Sequence, residues 1–266
     1  MKELRRALAH PPRSASVDRV QLAGIEGPNL LQEALRAGLN IETVFVAEGF
    51  HTLLDPIGLP GNIDIIELPR ELLDSALTTE APQPLAALIH IPTWTFDDLL
   101  NATTGASPLI LVLAALQDPG NLGTILRSAE ALGATGVISL PGTVSPWNPK
   151  ALRASAGSVF RLPFIESTED DCFTQLHSAG LRILTTAVHG AEPATSAHLT
   201  APTALLIGNE GNGVPDHLAS RCHAAITIPT PGPVESLNAA VAASILLYEA
   251  SRQRTAHVKP TARGKR

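Results

Sequence analysis

Three short stretches of the chain hold polar residues of the kind that bind anions or act on hydroxyl groups, each set among glycine or proline. In QDPGNLGTILRSAEALGATGV, residues 117–137, Asp118, Pro119, Gly120 and Asn121 read as a turn, and LGTILRSAEALG reads as a helix with Arg127 in its second turn. An arginine near a glycine-rich turn at a strand end is placed to meet an anion, although an exposed helix former would look the same. In LLIGNEGNGV, residues 205–214, Asn209 and Glu210 lie among Gly208, Gly211 and Gly213. Those glycines are expected to take positive φ and to bring the backbone close to a ligand. In IPTPGPVESLN, residues 228–238, Ser236 stands where a helix N-cap belongs and Asn238 falls in the first helical turn. Capping explains the serine, but a mediocre helix former such as asparagine has no local reason to follow it.

The elements that must position these loops are legible as two α/β patterns. In the first, GPNLLQEALRAG at 27–38 and LPRELLDSAL have helical spacing, while VFV at 44–46, IDIIE at 63–67 and AALIHI at 86–91 read as strands. PTWTFDDLLNATTGASP at 92–108 breaks the pattern and reads as a linker. After it, LILVL at 109–113, VISL at 137–140, ILTTA at 183–187, ALLI at 204–207 and AITI at 225–228 are short apolar runs mostly separated by helical stretches. That is the mark of a buried parallel sheet, which binds ligands beyond the carboxyl ends of its strands. The expected division is therefore a small α/β amino-terminal domain over 1–91, a linker over 92–108, a parallel-sheet domain over 109–252 and a basic tail over 253–266.

The 266 residues carry a net charge of −6, unevenly spread. Residues 1–19 hold five Lys/Arg against two acids and residues 252–266 hold six against none, leaving eight bases and 23 acids between them. Four of those eight, Arg127, Lys150, Arg153 and Arg161, fall within 35 residues and could form a patch facing phosphates. Solvated tails would explain the two termini equally well, and the last ten residues are expected to fray. The longest apolar run, LILVLAAL, is too short to span a bilayer and the first twenty residues lack a signal-peptide core, so no membrane partner and a cytoplasmic location are expected. Cys172 and Cys222 lie far apart in sequence, without the spacing of a zinc site, so neither a disulfide framework nor a metal is expected.

Taken in order, QDPGNLGTILRSAEALGATGVI, LLIGNEGNGVPDHL and IPTPGPVESLNAAVAASILLYEA resemble the three motifs of the SpoU (TrmH-like) branch of the SPOUT RNA methyltransferases. NPKALRASAGSVFRLPF at 148–164 resembles the segment between the first two motifs, and IEGPNLLQEALRAG resembles the small substrate-binding domain of many members. The resemblance implies a carboxyl-terminal trefoil knot, a homodimer, S-adenosylmethionine as methyl donor, and a ribose 2′-hydroxyl of ribosomal or transfer RNA as acceptor. The separate amino-terminal domain slightly favours ribosomal RNA. Position by position, Asn121 and Arg127 match the catalytic pair of the first motif, Glu210 the glutamate of the second, and Ser236 and Asn238 the polar pair of the third. The donor pocket would be lined around Thr186, Gly208, Asn209, Ile228 and Leu237, with Lys150, Arg153 and Arg161 left for RNA. Ala114, where many relatives have an acid, and Thr230, where many have Met, depart from the pattern without removing a residue assigned to chemistry.

A guanidinium with a pKa above ~12 is a poor base, so Arg127 is expected to bind the neighbouring phosphate and polarise the hydroxyl. Two other readings compete with a methyltransferase. A non-catalytic RNA-binding or ribosome-assembly factor would not require Asn121, Arg127, Glu210, Ser236 and Asn238 together. A nicotinamide-dependent enzyme needs a dinucleotide fingerprint at the first strand of the sheet, which QDPGNLGT does not supply.

Overall fold

The computed structural model describes residues 1–12, 21–101, 107–187, 190–234 and 236–257. By backbone contacts the chain divides into two compact units that are not simple halves of the sequence. The first contains residues 1–95 together with 117–127 and 144–166; the second contains 96–116, 128–143 and 167–266.

In the first unit α1 (Lys2–Ala9), β1 (Leu22–Glu26), α2 (Pro28–Arg36), β2 (Ile41–Ala47), β3 (Asp64–Leu68), α3 (Arg70–Asp74) and β4 (Leu85–His90) follow one another. The four strands form a sheet in the order β1-β4-β2-β3, with β4 antiparallel to both neighbours and β3 parallel to β2. The described start of the chain is not a solvated tail. Leu4, Ala7 and Leu8 of α1 are buried against Phe45, Leu73 and Leu88, because their i, i+3, i+4 spacing gives a basic helix one apolar face. A side chain at Gly24 would fall 2.7 Å from Leu8 Cγ, so the glycine in β1 lets α1 lie close over the strand. That glycine also hides LAGIE from a search for apolar alternation.

The expected linker contains a helix, α4 (Phe96–Leu100), with Leu99 fully buried. Then come β5 (Leu109–Leu113), α5 (Pro119–Ala131), β6 (Gly136–Ser139), α6 (Pro149–Ser155), β7 (Phe164–Glu166), α7 (Glu169–Ser178), β8 (Arg182–Thr186), β9 (Glu192–Pro193), β10 (Thr203–Ile207), α8 (Asp216–Ala219), β11 (Ala224–Thr227) and α9 (Ala239–His257). Among the described residues, the six strands of the second unit lie in one sheet in the order β6-β5-β10-β8-β11-β9, every pair parallel. Central strands β5 and β10 are buried at every position, which is why they read as unbroken apolar runs.

Helix α9 continues through His257, into the stretch expected to be tail. Arg254 holds it there, donating to the carbonyls of Leu199 (2.8 Å), Ala201 (3.0 Å), Pro108 (3.1 Å) and Ser107. The remaining tail, 258–266, lies outside the described residues. Cys172 and Cys222 are free thiols whose burial pushes them up to about 12 and about 11. Among the described residues no helix is long and apolar enough to cross a membrane, and no cluster of His, Cys, Asp or Glu is arranged to hold a metal ion.

Candidate functional site

Because the six strands are parallel, the carboxyl ends of β8, β10 and β11 emerge on one edge of the sheet. The loops that leave them and the start of α9 enclose a cleft of about 360 Å³ within the second unit. That falls within the ~300–1,000 Å³ range of small-molecule sites. Thr186 ends β8, Gly208 and Asn209 follow β10, and Ile228 follows β11; all four line the cleft. Glu210, Ser236 and Leu237 line it as well. Its walls mix the apolar side chains of Ile207, Ile226 and Leu246 with main chain from the 208–213 loop, which suits a ligand with a flat apolar part and a polar one.

The glycine loop folds differently from the sequence expectation. Only Gly213 has positive φ, at 66°; Gly208 and Gly211 do not. Gly208 is needed for space, since a Cβ there would overlap the Gly213 carbonyl and the Val214 nitrogen. The two sides are paired: Asn209 N–H donates to Gly213 O (3.1 Å) and Gly213 N–H to Asn209 O (3.2 Å). Asn209 Oδ1 accepts from the N–H groups of Gly211 (3.0 Å) and Asn212 (2.7 Å), so this amide staples the loop that it presents to the cleft.

The cap of α9 is also reassigned. Asn238, not Ser236, is the cap: its Oδ1 accepts from Ala240 N–H (2.9 Å) and Val241 N–H (3.2 Å). The asparagine that looked unexplained inside a helix stands one residue before it. Leu237 and Ala239 on either side line the cleft, so the cap fixes the backbone that forms that wall.

The remaining predicted residues, Asn121, Arg127, Lys150, Arg153 and Arg161, belong to the first unit and are not among the residues that line the cleft. Helix α5 begins at Pro119, earlier than expected, with Asp118 Oδ1 accepting from Asn121 N–H (2.8 Å). Asn121 is thus half-buried in the first turn, and the exposed Arg127 moves to the third turn of the same helix. Lys150 lies in the first turn of α6, capped by Asn148, and its Nζ pairs with Asp118 Oδ2 at 2.8 Å. Arg161 Nη1 pairs with Glu33 Oε2 at 2.7 Å. Of the four clustered bases, two are therefore engaged with carboxylates, while Arg127 and Arg153 are exposed.

Lys150 holds the Asp118 carboxyl below its ordinary range, chiefly by its hydrogen bond, with the Asn121 amide adding to it. Arg161, then Arg36, does the same for Glu33. The sequence assigned neither acid an ion pair, and Asp118 was read only as part of a turn. For Asp118 a signal existed, an Asp-Pro pair at a helix start. For Glu33 the i, i+3 spacing to Arg36 was a local signal, but nothing pointed to Arg161, which is 128 residues away.

Residues 108–248 match the SpoU rRNA Methylase family model, and residues 25–95 match the model for RNA 2'-O ribose methyltransferase substrate binding. The chain is 33% identical to the 23S rRNA (guanosine(2553)-2'-O)-methyltransferase RlmP of Bacillus subtilis, over 84% of this chain and 86% of that protein. It is 32% identical to an uncharacterized tRNA/rRNA methyltransferase of Mycobacterium avium, over 92% and 82%. Among solved structures, the SpoU methyltransferase AviRb from Streptomyces viridochromogenes, in complex with the cofactor AdoMet, matches with a TM-score of 0.80 at 28% identity, covering 96% of this chain and 97% of that one. An AdoMet-bound rRNA methyltransferase from Sinorhizobium meliloti gives 0.79 at 28% identity, covering 94% and 93%.

Proposed function

Because the chain belongs to the SpoU rRNA methylase family, we propose that it transfers a methyl group from S-adenosylmethionine to a ribose 2′-hydroxyl of RNA, with ribosomal RNA favoured over transfer RNA. The observation that carries this reading is the cleft at the ends of β8, β10 and β11, which collects Thr186, Gly208, Ile228 and Leu237. These are positions that the family resemblance assigns to the donor, Gly208, Ile228 and Leu237 falling within its second and third motifs. The fit is physical as well as positional: the main chain at Gly208 lies so close to Gly213 that no side chain can intrude, leaving a cradle of peptide groups beside an apolar wall. S-adenosylmethionine has the two matching halves, an adenine and a charged amino-acid end, and supplies an electrophilic methyl on its sulfonium.

The chain's own residues have to bring an RNA hydroxyl into line with that methyl, and positioning of this kind can lower a barrier by roughly 7–11 kcal/mol. Arg127, exposed on α5, binds the neighbouring phosphate and polarises the acceptor hydroxyl. Asn121, two turns earlier on the same helix, and Asn238 orient the ribose, while Glu210 and Ser236 steer polar groups at the cleft's edge. Arg153, exposed, offers a further charge to the RNA backbone.

The reading includes a trefoil-knotted methylase domain, a cytoplasmic site of action and a homodimer. For the last, α9 offers support: Val241, Ile245 and Tyr248 stand 47%, 39% and 60% exposed at i, i+4, i+7, a stripe suited to a second copy.

The test is tritiated methyl transfer from S-adenosylmethionine to ribosomal RNA from a strain deleted for this gene, followed by mapping of the methylated ribose. Wild type should label one 2′-hydroxyl, and Arg127→Ala should bind the donor normally while losing turnover. Absence of donor binding by calorimetry, or an Arg127→Ala enzyme with normal turnover, refutes the reading.

A further inference from the structure

The first compact unit joins pieces that the sequence separates. It takes the substrate-binding stretch 25–95 together with α6 and the part of α5 that ends at Arg127, although both helices lie inside the stretch matched by the methylase family. The join has three parts. Glu33 of α2 receives Arg161 Nη1 on Oε2 at 2.7 Å and Arg36 Nη1 on Oε1 at 2.8 Å. Gly157, at φ 85°, lies under the same side chain: a Cβ there would fall 2.6 Å from Glu33 Cβ, so only glycine admits the contact. From this point α6 runs back against α5, where a side chain at Gly123 would fall 2.6 Å from Ala154 Cβ and 2.9 Å from Ser155 N. Lys150 adds its ion pair to Asp118 at the start of α5.

We propose that Glu33, Arg161 and Gly157 form a latch that fixes the substrate-binding module to α6 and, through it, to the helix that carries Asn121 and Arg127. The inference rests on the methyltransferase reading and adds to it a positioning role for residues that touch neither donor nor acceptor. RNA gripped by the module is then presented to Arg127 at a distance set by packed side chains. Arg161, assigned by sequence to RNA, acts here through Glu33. An ion pair this exposed contributes little to stability, so its effect is sought in geometry. Misplacement by about 1 Å at a reacting centre can cost ~100-fold in rate.

The experiment is a charge swap. Glu33→Arg and Arg161→Glu are made singly and together, and each is assayed for donor affinity and for kcat and KM on ribosomal RNA from the deletion strain. Each single change should lower kcat by about tenfold or more while the donor Kd stays within about twofold, and the double change should restore kcat to within about threefold of wild type. If a reversal fails to fold, Glu33→Gln and Arg161→Gln remove the charges with less disturbance and should lower kcat in the same way. A rise in KM confined to the Arg161 variant, with no recovery in the double, would make Arg161 an RNA phosphate ligand and overturn the latch. Unchanged kcat in the single variants would also overturn it. Should wild type methylate no RNA, the functional reading has failed, and the latch is then judged by amide hydrogen exchange in α5, expected to quicken in each single variant and to recover in the double.

Discussion

Gly208→Ala tests the cleft most sharply, because the structure says why that glycine is there. Its φ is not positive, so left-handed strain has no part in the effect. The added methyl would overlap three main-chain atoms, the Gly213 carbonyl carbon and oxygen and the Val214 nitrogen, none of which can rotate away. Restoring ordinary carbon contact at ~3.5–4 Å moves the 213–214 side of the loop by about 1 Å or more. Overpacking of this kind costs ~1–3 kcal/mol. If the strain is taken up by the loop lining the cleft, donor affinity falls by the same amount, roughly 5- to 150-fold. Calorimetric titration with S-adenosylmethionine measures the affinity, and a denaturant midpoint measures the stability. Gly133→Ala, outside the cleft, is the control: its φ is 82° but nothing lies within 4 Å, so it should cost about 1–2 kcal/mol of stability through left-handed strain and leave donor affinity nearly unchanged. A Gly208→Ala protein with wild-type affinity and an unshifted midpoint would refute this account of the loop.

Asn238→Ala should cost about 1 kcal/mol by removing the α9 cap, whereas Ser236→Ala should leave the denaturant midpoint nearly unmoved; equal losses would mean that the cap is misassigned. Acid should weaken the first unit slightly, because both pairs are partly exposed. Arg161 and Lys150 hold Glu33 and Asp118 below their ordinary carboxylate values, so their contribution is full above about pH 5 and is lost as pH falls through the depressed values. A Glu33→Gln/Asp118→Asn double variant should therefore lose less stability than wild type between about pH 5 and pH 3 in denaturant titrations; parallel losses would show that the pairs carry no linkage.

What the sequence determined by itself is local or repetitive. Strands buried on both faces must be apolar throughout, so LILVL and ALLI announced a parallel sheet, and a parallel sheet puts its loops at one edge. That pointed to the loops after the strands; Thr186, Gly208, Ile228 and Leu237 were assigned to one pocket by the family resemblance, and the fold brings them around one cleft. Whatever depends on two segments meeting was decided only by the tertiary structure. Gly208 is required because Gly213 folds back against it, and no property of either residue alone reveals that distance. Asn238 took the cap from Ser236 because the helix starts where packing lets it, and either side chain satisfies the same local rule. Arg161 read as a free cation until Glu33, far off along the chain, came within hydrogen-bonding reach. Charge and side-chain type are carried by single residues, but which charges neutralise one another is a property of the fold.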